Sequence, residues 1–258
     1  QGQGAFVSNV GSTEPLDQAA ALLRPLATGV RPSRRVRQLY ADNLIDLCGA
    51  APSPQKGLPD CDEAADILTG LGALDLSDLQ AADSWVGATG TKAYLLVVLG
   101  RIAEAQQLAT QTFTLTGKIL ERRPDDVQSL GSRARTAGLL AEIANRQHDA
   151  VAAADYADKS VQAAQEQVRF DPSNMNAWTN WGSALDSIST YELAAGEVTR
   201  AVATEQAALA LTKDPRSPKQ LGTVQAIGWQ HLSVTLAIAG DRAGAEQAVE
   251  TYNRDARA

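Results

Sequence analysis

The sequence predicts an all-α fold, an α-α solenoid of about four elongated helical hairpins behind a helical N-terminal cap. Three observations point there. The chain of 258 residues carries 46 alanines and only 5% aromatic residues, which favours closely packed helices over a sheet. Ala93, Gly138, Gly182 and Ser233 each stand twelve residues before an alanine, namely Ala105, Ala150, Ala194 and Ala245. A short polar turn precedes each of those alanines: Gly100-Arg101, Asn145-Arg146-Gln147, Ser187-Ile188-Ser189-Thr190 and Gly240-Asp241-Arg242. Four such frames in series describe tandem helical hairpins whose small residues let paired helices approach.

Taken from the N-terminus, residues 1–12 read as a flexible tail. Residues 13–84 read as the N-terminal helical cap, and residues 85–258 as the repeat array. Thr13-Glu14-Pro15 supplies a cap residue, an acid and a first-turn proline for a helix to about Ala27. Ser33 caps a second helix to Leu47, with Val36, Leu39, Tyr40, Leu44 and Leu47 on one face. Asp60-Cys61-Asp62-Glu63 opens a third, short helix ending at Gly70, so Cys48 and Cys61 bound a loop containing Pro52, Pro54, Gly57 and Pro59. The same stretch also fits a degenerate fifth hairpin with that loop as an insertion.

Net charge −7 argues against a phosphate-dominated nucleic-acid partner. The densest apolar run, Leu95-Leu96-Val97-Val98-Leu99, is far too short to cross a bilayer. The start at Gln1, without an initiator Met, reads as processing or as excision from something larger. A Cys48–Cys61 bridge would add roughly 3 kcal/mol by the chain-entropy argument and would suit an oxidising, periplasmic or extracytoplasmic compartment. Two buried thiols in a cytoplasmic protein are the other reading. With no His or further Cys near them at ligand spacing, no metal site is expected.

The large residues then carry a resemblance. Trp178-x2-Trp181-Gly182-x2-Leu185, Ala194-x3-Val198 and Pro215 resemble the tetratricopeptide repeat pattern, and Trp229-x2-Leu232-Ser233-x2-Leu236 with Ala245-x3-Val249 repeats it. Asp171-Pro172-Ser173-Asn174, Arg123-Pro124-Asp125-Asp126 and Asp214-Pro215-Arg216-Ser217 resemble the turns joining successive repeats of that family. The departures are the lengths: the family period is 34 residues, and the longer steps here predict second helices extended by two or more turns. Thr89 stands where the first repeat would have its Trp. The resemblance implies a non-catalytic module that binds a protein or a peptide. It also admits an upstream membrane-anchored effector, since bacterial receptor serine/threonine kinases and membrane-bound regulators carry such repeats as sensing or docking regions. A small-molecule or peptide-pheromone receptor and an assembly or secretion chaperone are the alternatives.

Chemistry is sparse. No HExxH, Gx4GK[ST], GxGxxG or GxSxG pattern occurs, so no catalytic residue and no cofactor are expected. His148 lies in a polar turn, and His231 on a helix beside Trp229. The basic run Arg31-Pro32-Ser33-Arg34-Arg35-Val36-Arg37 reads as a solvated helix face. The resemblance places Arg135, Asn176, Thr179, Asn180, Ser183, Asp186, Gln230 and His231 on the concave groove, with Ser132 and Thr136 beside Arg135. Asn180 and Arg135 match the set that clamps a peptide carboxylate, whereas Leu139, Ile227 and His231 depart from it. Trp178, Trp181 and Trp229 are expected to pack rather than to bind.

Overall fold

Eleven α-helices and no strand make up the described part of the chain. The structure is a computed structural model that describes residues 13–218 and 222–255, without the side chains of 222–227 and 255. The expected tail, and Ile227 of the groove, fall outside the residues and side chains described. Two compact units divide the chain between Ile119 and Leu120.

The first unit holds α1 (Glu14–Ala27), α2 (Arg34–Ala50), α3 (Pro54–Thr69), α4 (Leu79–Val98) and most of α5 (Ile102–Arg122). α1 starts and stops where the sequence places it. Thr13 does not cap it through its side chain, because its hydroxyl donates to Asp17 at 3.0 Å. Ser33 does cap α2, its Oγ accepting from the Val36 N–H at 3.2 Å. The expected proline loop is instead helix. α3 begins at Pro54, six residues before Asp60, with Pro54 in its first turn and Pro59 inside it. Pro54 costs little, because the N–H it replaces has no partner within the helix, whereas Pro59, at the sixth position, forgoes the bond to the Gln55 carbonyl and is carried by the packing of α3. Cys48 at the end of α2 is bridged to Cys61 within α3, with Cα atoms 5.4 Å apart.

Tyr40, Leu44, Leu68, Trp85, Leu115 and Ile119 gather in one core, so α1–α3 pack against the same apolar centre as α4 and α5. Part of the basic run is committed to that packing. Arg34 donates to Asp78 at 2.7 Å and to the Leu71 carbonyl, and Arg37 reaches the Ile67 carbonyl at the end of α3. Arg24 donates to the Tyr40 hydroxyl at 2.6 Å, and Tyr40 donates to Glu63 at 2.9 Å. Where Trp was missing, Thr89 is buried and accepts from Thr112 at 2.9 Å.

The second unit contains α6 (Val127–Arg146), α7 (Ala150–Phe170), α8 (Met175–Ala194), α9 (Val198–Leu211), α10 (Gly222–Ile238) and α11 (Arg242–Asp255). Consecutive helices pack on one another, and α8 also meets α6 and α10. The inter-repeat turns act as expected: Asp126 accepts from Ser129 N–H at 2.7 Å and Asn174 from Asn176 N–H at 3.0 Å, each capping the helix that follows. Trp178 is 0% exposed, and its Nε1 donates to the Pro172 carbonyl at 2.9 Å.

The alanine frame needs correction in the middle hairpins. α8 runs through Ser187–Thr190, and its turn comes at Gly196. The turns within hairpins are marked by left-handed backbone at Gly100, His148, Gly196 and Gly240, spaced 48, 48 and 44 residues apart. Five residues beyond these lie Ala105, Ala153, Ala201 and Ala245, the first three fully buried. Ala150 and Ala194, chosen from the sequence, are exposed at helix ends. By this register Trp178 and Trp229 are not equivalent, and Arg135 corresponds to Ser183. The repeats do exceed the 34-residue family period. The extension of second helices is uneven, however, since α5 and α7 have 21 residues and α9 has 14.

Candidate functional site

Within the second unit, α8, α9 and α10 bring one ionisable side chain each to a shared pocket. Asp186 sits mid-way along α8, Glu205 in α9 and His231 in α10. Gly228 lets the helices close up there: a Cβ at that position would lie 2.8 Å from Leu209 Cδ2. His231, one turn further along α10, consequently reaches Asp186, with Nδ1 against Oδ1. Donor atoms from Asp186, Glu205 and His231 all lie within 4.8 Å of one another. Thr179, Ser183 and Gly182 complete the wall of a hollow of about 80 Å³.

The electrostatics are those of a crowded acidic site. Glu205 is 2% exposed, and its Oε2 has no hydrogen-bond partner. Burial first, then the neighbouring Asp186, pushes its carboxyl up to about 7. The hydrogen bond to Asp186 raises the His231 imidazole above its ordinary value. Burial pushes the Tyr191 phenol, on the same helix as Asp186, up to about 12.

Four of the groove residues expected from sequence, Thr179, Ser183, Asp186 and His231, therefore line one hollow. Asn176 and Gln230 are exposed elsewhere on α8 and α10. Arg135 is open to solvent on α6 and donates to Ser132 Oγ at 3.2 Å, while desolvation by the protein around it lowers its guanidinium pKa. Ser132 and Thr136 are buried, and Thr136 donates to the Ser132 carbonyl at 2.8 Å. The clamp-like Asn180 is engaged inside the protein. Its amide donates to Gln167 Oε1 at 3.2 Å, and the Gln167 amide donates to the Val127 carbonyl at 3.0 Å. Trp178 and Trp181 stack with centroids 6.0 Å apart. His148 is exposed at its turn.

Glu205 was not legible as a site residue. By the turn register it occupies the place of Ala109 in α5 and Ala157 in α7, both buried. The signal that finds it is an acid at a position where α5 and α7 carry alanine and α11 carries Val249. Nucleophilic catalysis would need a hydroxyl bonded to the base. The Thr179 hydroxyl instead donates to the Met175 carbonyl at 3.1 Å. A separate hollow of about 320 Å³ in the first unit is lined by Leu74, Trp85 and Leu115 among others.

No family model and no curated protein sequence matches the chain. Solved structures do. BtubC (BKLC) from P. vanneervenii superposes with a TM-score of 0.69 at 17% identity, over 95% of this chain and 89% of that one. A putative kinesin light chain with nearly identical TPR-like repeats, from Podosopora anserina, gives 0.53 at 15% identity over 86% of this chain and 93% of that one. The fold is tetratricopeptide-like. The tetratricopeptide-like hairpins are α4–α5, α6–α7, α8–α9 and α10–α11, preceded by α1–α3. At these identities the likeness concerns the fold alone.

Proposed function

We propose that the chain is a non-catalytic repeat scaffold that binds a protein or peptide along the polar faces of α6, α8 and α10. The observation that carries this reading is the convergence of Thr179, Ser183, Asp186 and His231 on one hollow of a tetratricopeptide-like unit. Uncharged hydroxyls and a partly desolvated Arg135 suit the backbone amides and acidic side chains of an extended segment. With Asn180 turned inward, Arg135 is the remaining anchor for a carboxylate. The module serves, in this reading, as the extracytoplasmic sensing or docking region of a larger bacterial signalling protein such as a receptor serine/threonine kinase or a membrane-bound regulator. The Cys48–Cys61 pair supports the oxidising compartment.

The binding test is selection of peptides on the purified chain, followed by calorimetry with the tightest one in chelator. Arg135→Ala and the double variant Thr179→Ala, Ser183→Ala should each weaken binding at least tenfold, and His148→Ala should leave it unchanged. Equal affinity across these variants would remove the groove from the proposal. Alkylation trapping of the cysteines in the native host tests the compartment: free thiols would return the protein to the cytoplasm.

The 320 Å³ hollow in the first unit gives a second reading, a small-molecule receptor, its specific support, being near the lower size of ligand pockets. A melting shift with small ligands that Trp85→Ala abolishes would favour it.

A further inference from the structure

We propose that Asp186, Glu205 and His231 form a binding site for a divalent transition-metal ion of the zinc type. The three donors come from three successive helices and lie within 4.8 Å of one another. Three donors on a tetrahedral ion at ordinary zinc bond lengths stand about 3.4 Å apart, so small side-chain rotations complete the set.

Glu205 is the independent pointer to an ion. Its side chain is buried where α5 and α7 place alanine, and its Oε2 faces no hydrogen-bond donor. A buried carboxylate oxygen without a partner is costly, and proteins retain such groups where they are paired or ligate a metal. Two carboxylates and a neutral imidazole carry two negative charges, which one divalent ion balances. The mixture also selects the class of ion. Calcium and magnesium favour all-oxygen shells, and copper(I) favours sulfur, whereas one imidazole with two carboxylates suits zinc and its first-row neighbours.

Three protein donors leave a coordination position open. The hollow of about 80 Å³ beside the trio has room for it, since a water takes about 30 Å³. Thr179 and Ser183 stand on its wall, and the Thr179 hydroxyl, which donates to the Met175 carbonyl, can still accept from a water there. The site does not depend on the groove binding a peptide.

The test is titration of the full, chelator-stripped chain with zinc chloride by calorimetry, with calcium and magnesium chloride in parallel. One saturable zinc site per chain is expected, with zinc at least tenfold tighter than calcium or magnesium. Glu205→Gln and His231→Ala should each weaken it at least tenfold, and His148→Ala should not. Asp186→Asn, at the more exposed rim, gives the same readout if the buried variant loses helicity by circular dichroism. Cobalt(II) substitution should give the visible spectrum of a low-coordinate site with one nitrogen and two or more oxygen donors. No saturable zinc binding, binding indifferent to Glu205, Asp186 and His231, or equal calcium binding would each overturn the proposal.

Discussion

The two units differ in the polar residues they bury. In the first, charged groups pair between helices and loops: Arg34 to Asp78, Arg24 to Tyr40 and Glu63, Lys92 to Asp62, with the Cys48–Cys61 link beside them. Its interior holds uncharged polar groups: Thr89 and Thr112, which bond to each other, Gln38, which donates to Asp42 and Ser84, and Asn43, whose Oδ1 has no partner. The second unit carries Gln167, Glu192 and Glu205 in buried positions. Gln167 is satisfied from both sides and Glu192 accepts from Thr204 at 2.8 Å, so of these three only Glu205 has an oxygen without a partner; the Trp181 and Trp229 indole nitrogens also lack one. Polar groups at the edge stabilise a fold cheaply, whereas an unsatisfied one inside weakens it unless a ligand compensates.

That contrast can be broken at several points. The largest effect is expected from Trp178→Ala, which empties the core shared with Val168, Ala177 and Leu211 and should cost about 4 kcal/mol. Hydrogen exchange should accelerate in α7–α9 first. Cys48→Ala with Cys61→Ala should cost about 3 kcal/mol by urea denaturation. Its exchange signature should be confined to α2 and α3, and a matching loss in α8 would deny that the units hold themselves by different means.

Glu205→Ala tests the buried exception directly. In chelator it should stabilise the protein by about 1 kcal/mol, since it removes an unsatisfied oxygen and installs the residue that α5 and α7 carry at this position. A loss of stability would mean that the carboxylate is better satisfied than its geometry indicates. The smallest effect belongs to Asp78→Asn, which keeps a good helix cap but discharges the ion pair, at about 0.5 kcal/mol near neutral pH. The Ala81 N–H and the Arg34 guanidinium hold the Asp78 carboxyl below its usual value. Its contribution is therefore present above about pH 4 and is lost as pH falls through the folded value. The variant should flatten that part of the acid limb.

Much of the fold was legible because its punctuation is local. Ser33, Asp126 and Asn174 each cap a helix with their own side chain, and prolines mark the joins between hairpins. Pro54 misled because at a first helical position it removes no needed N–H, and Pro59 because the disulfide and core packing of α3 outweigh the one helical bond it removes. The repeat register was obscured by alanine itself. With 46 of them in the chain, a twelve-residue match recurs by composition, and the backbone mark that fixes the register is carried by a histidine at one of four turns. In the site, the helix face of Thr179, Ser183 and Asp186 followed from the tetratricopeptide resemblance of α8. Glu205 could not, since its burial depends on how α8 and α10 pack against α9, a matter of tertiary contact.

The covalent link between α2 and α3 also has a mechanical meaning. Cys48 and Cys61 are 13 residues apart in sequence and 5.4 Å apart in space. Pulled from its two ends, the oxidised chain hides the segment between them from the load, so its fully stretched length falls short of the reduced chain's by about 40 Å. Every helix outside that short loop can still unravel under force. The bridge is thus a local splice rather than a strap around the molecule, and its redox state can be read as a length in a single-molecule stretching trace.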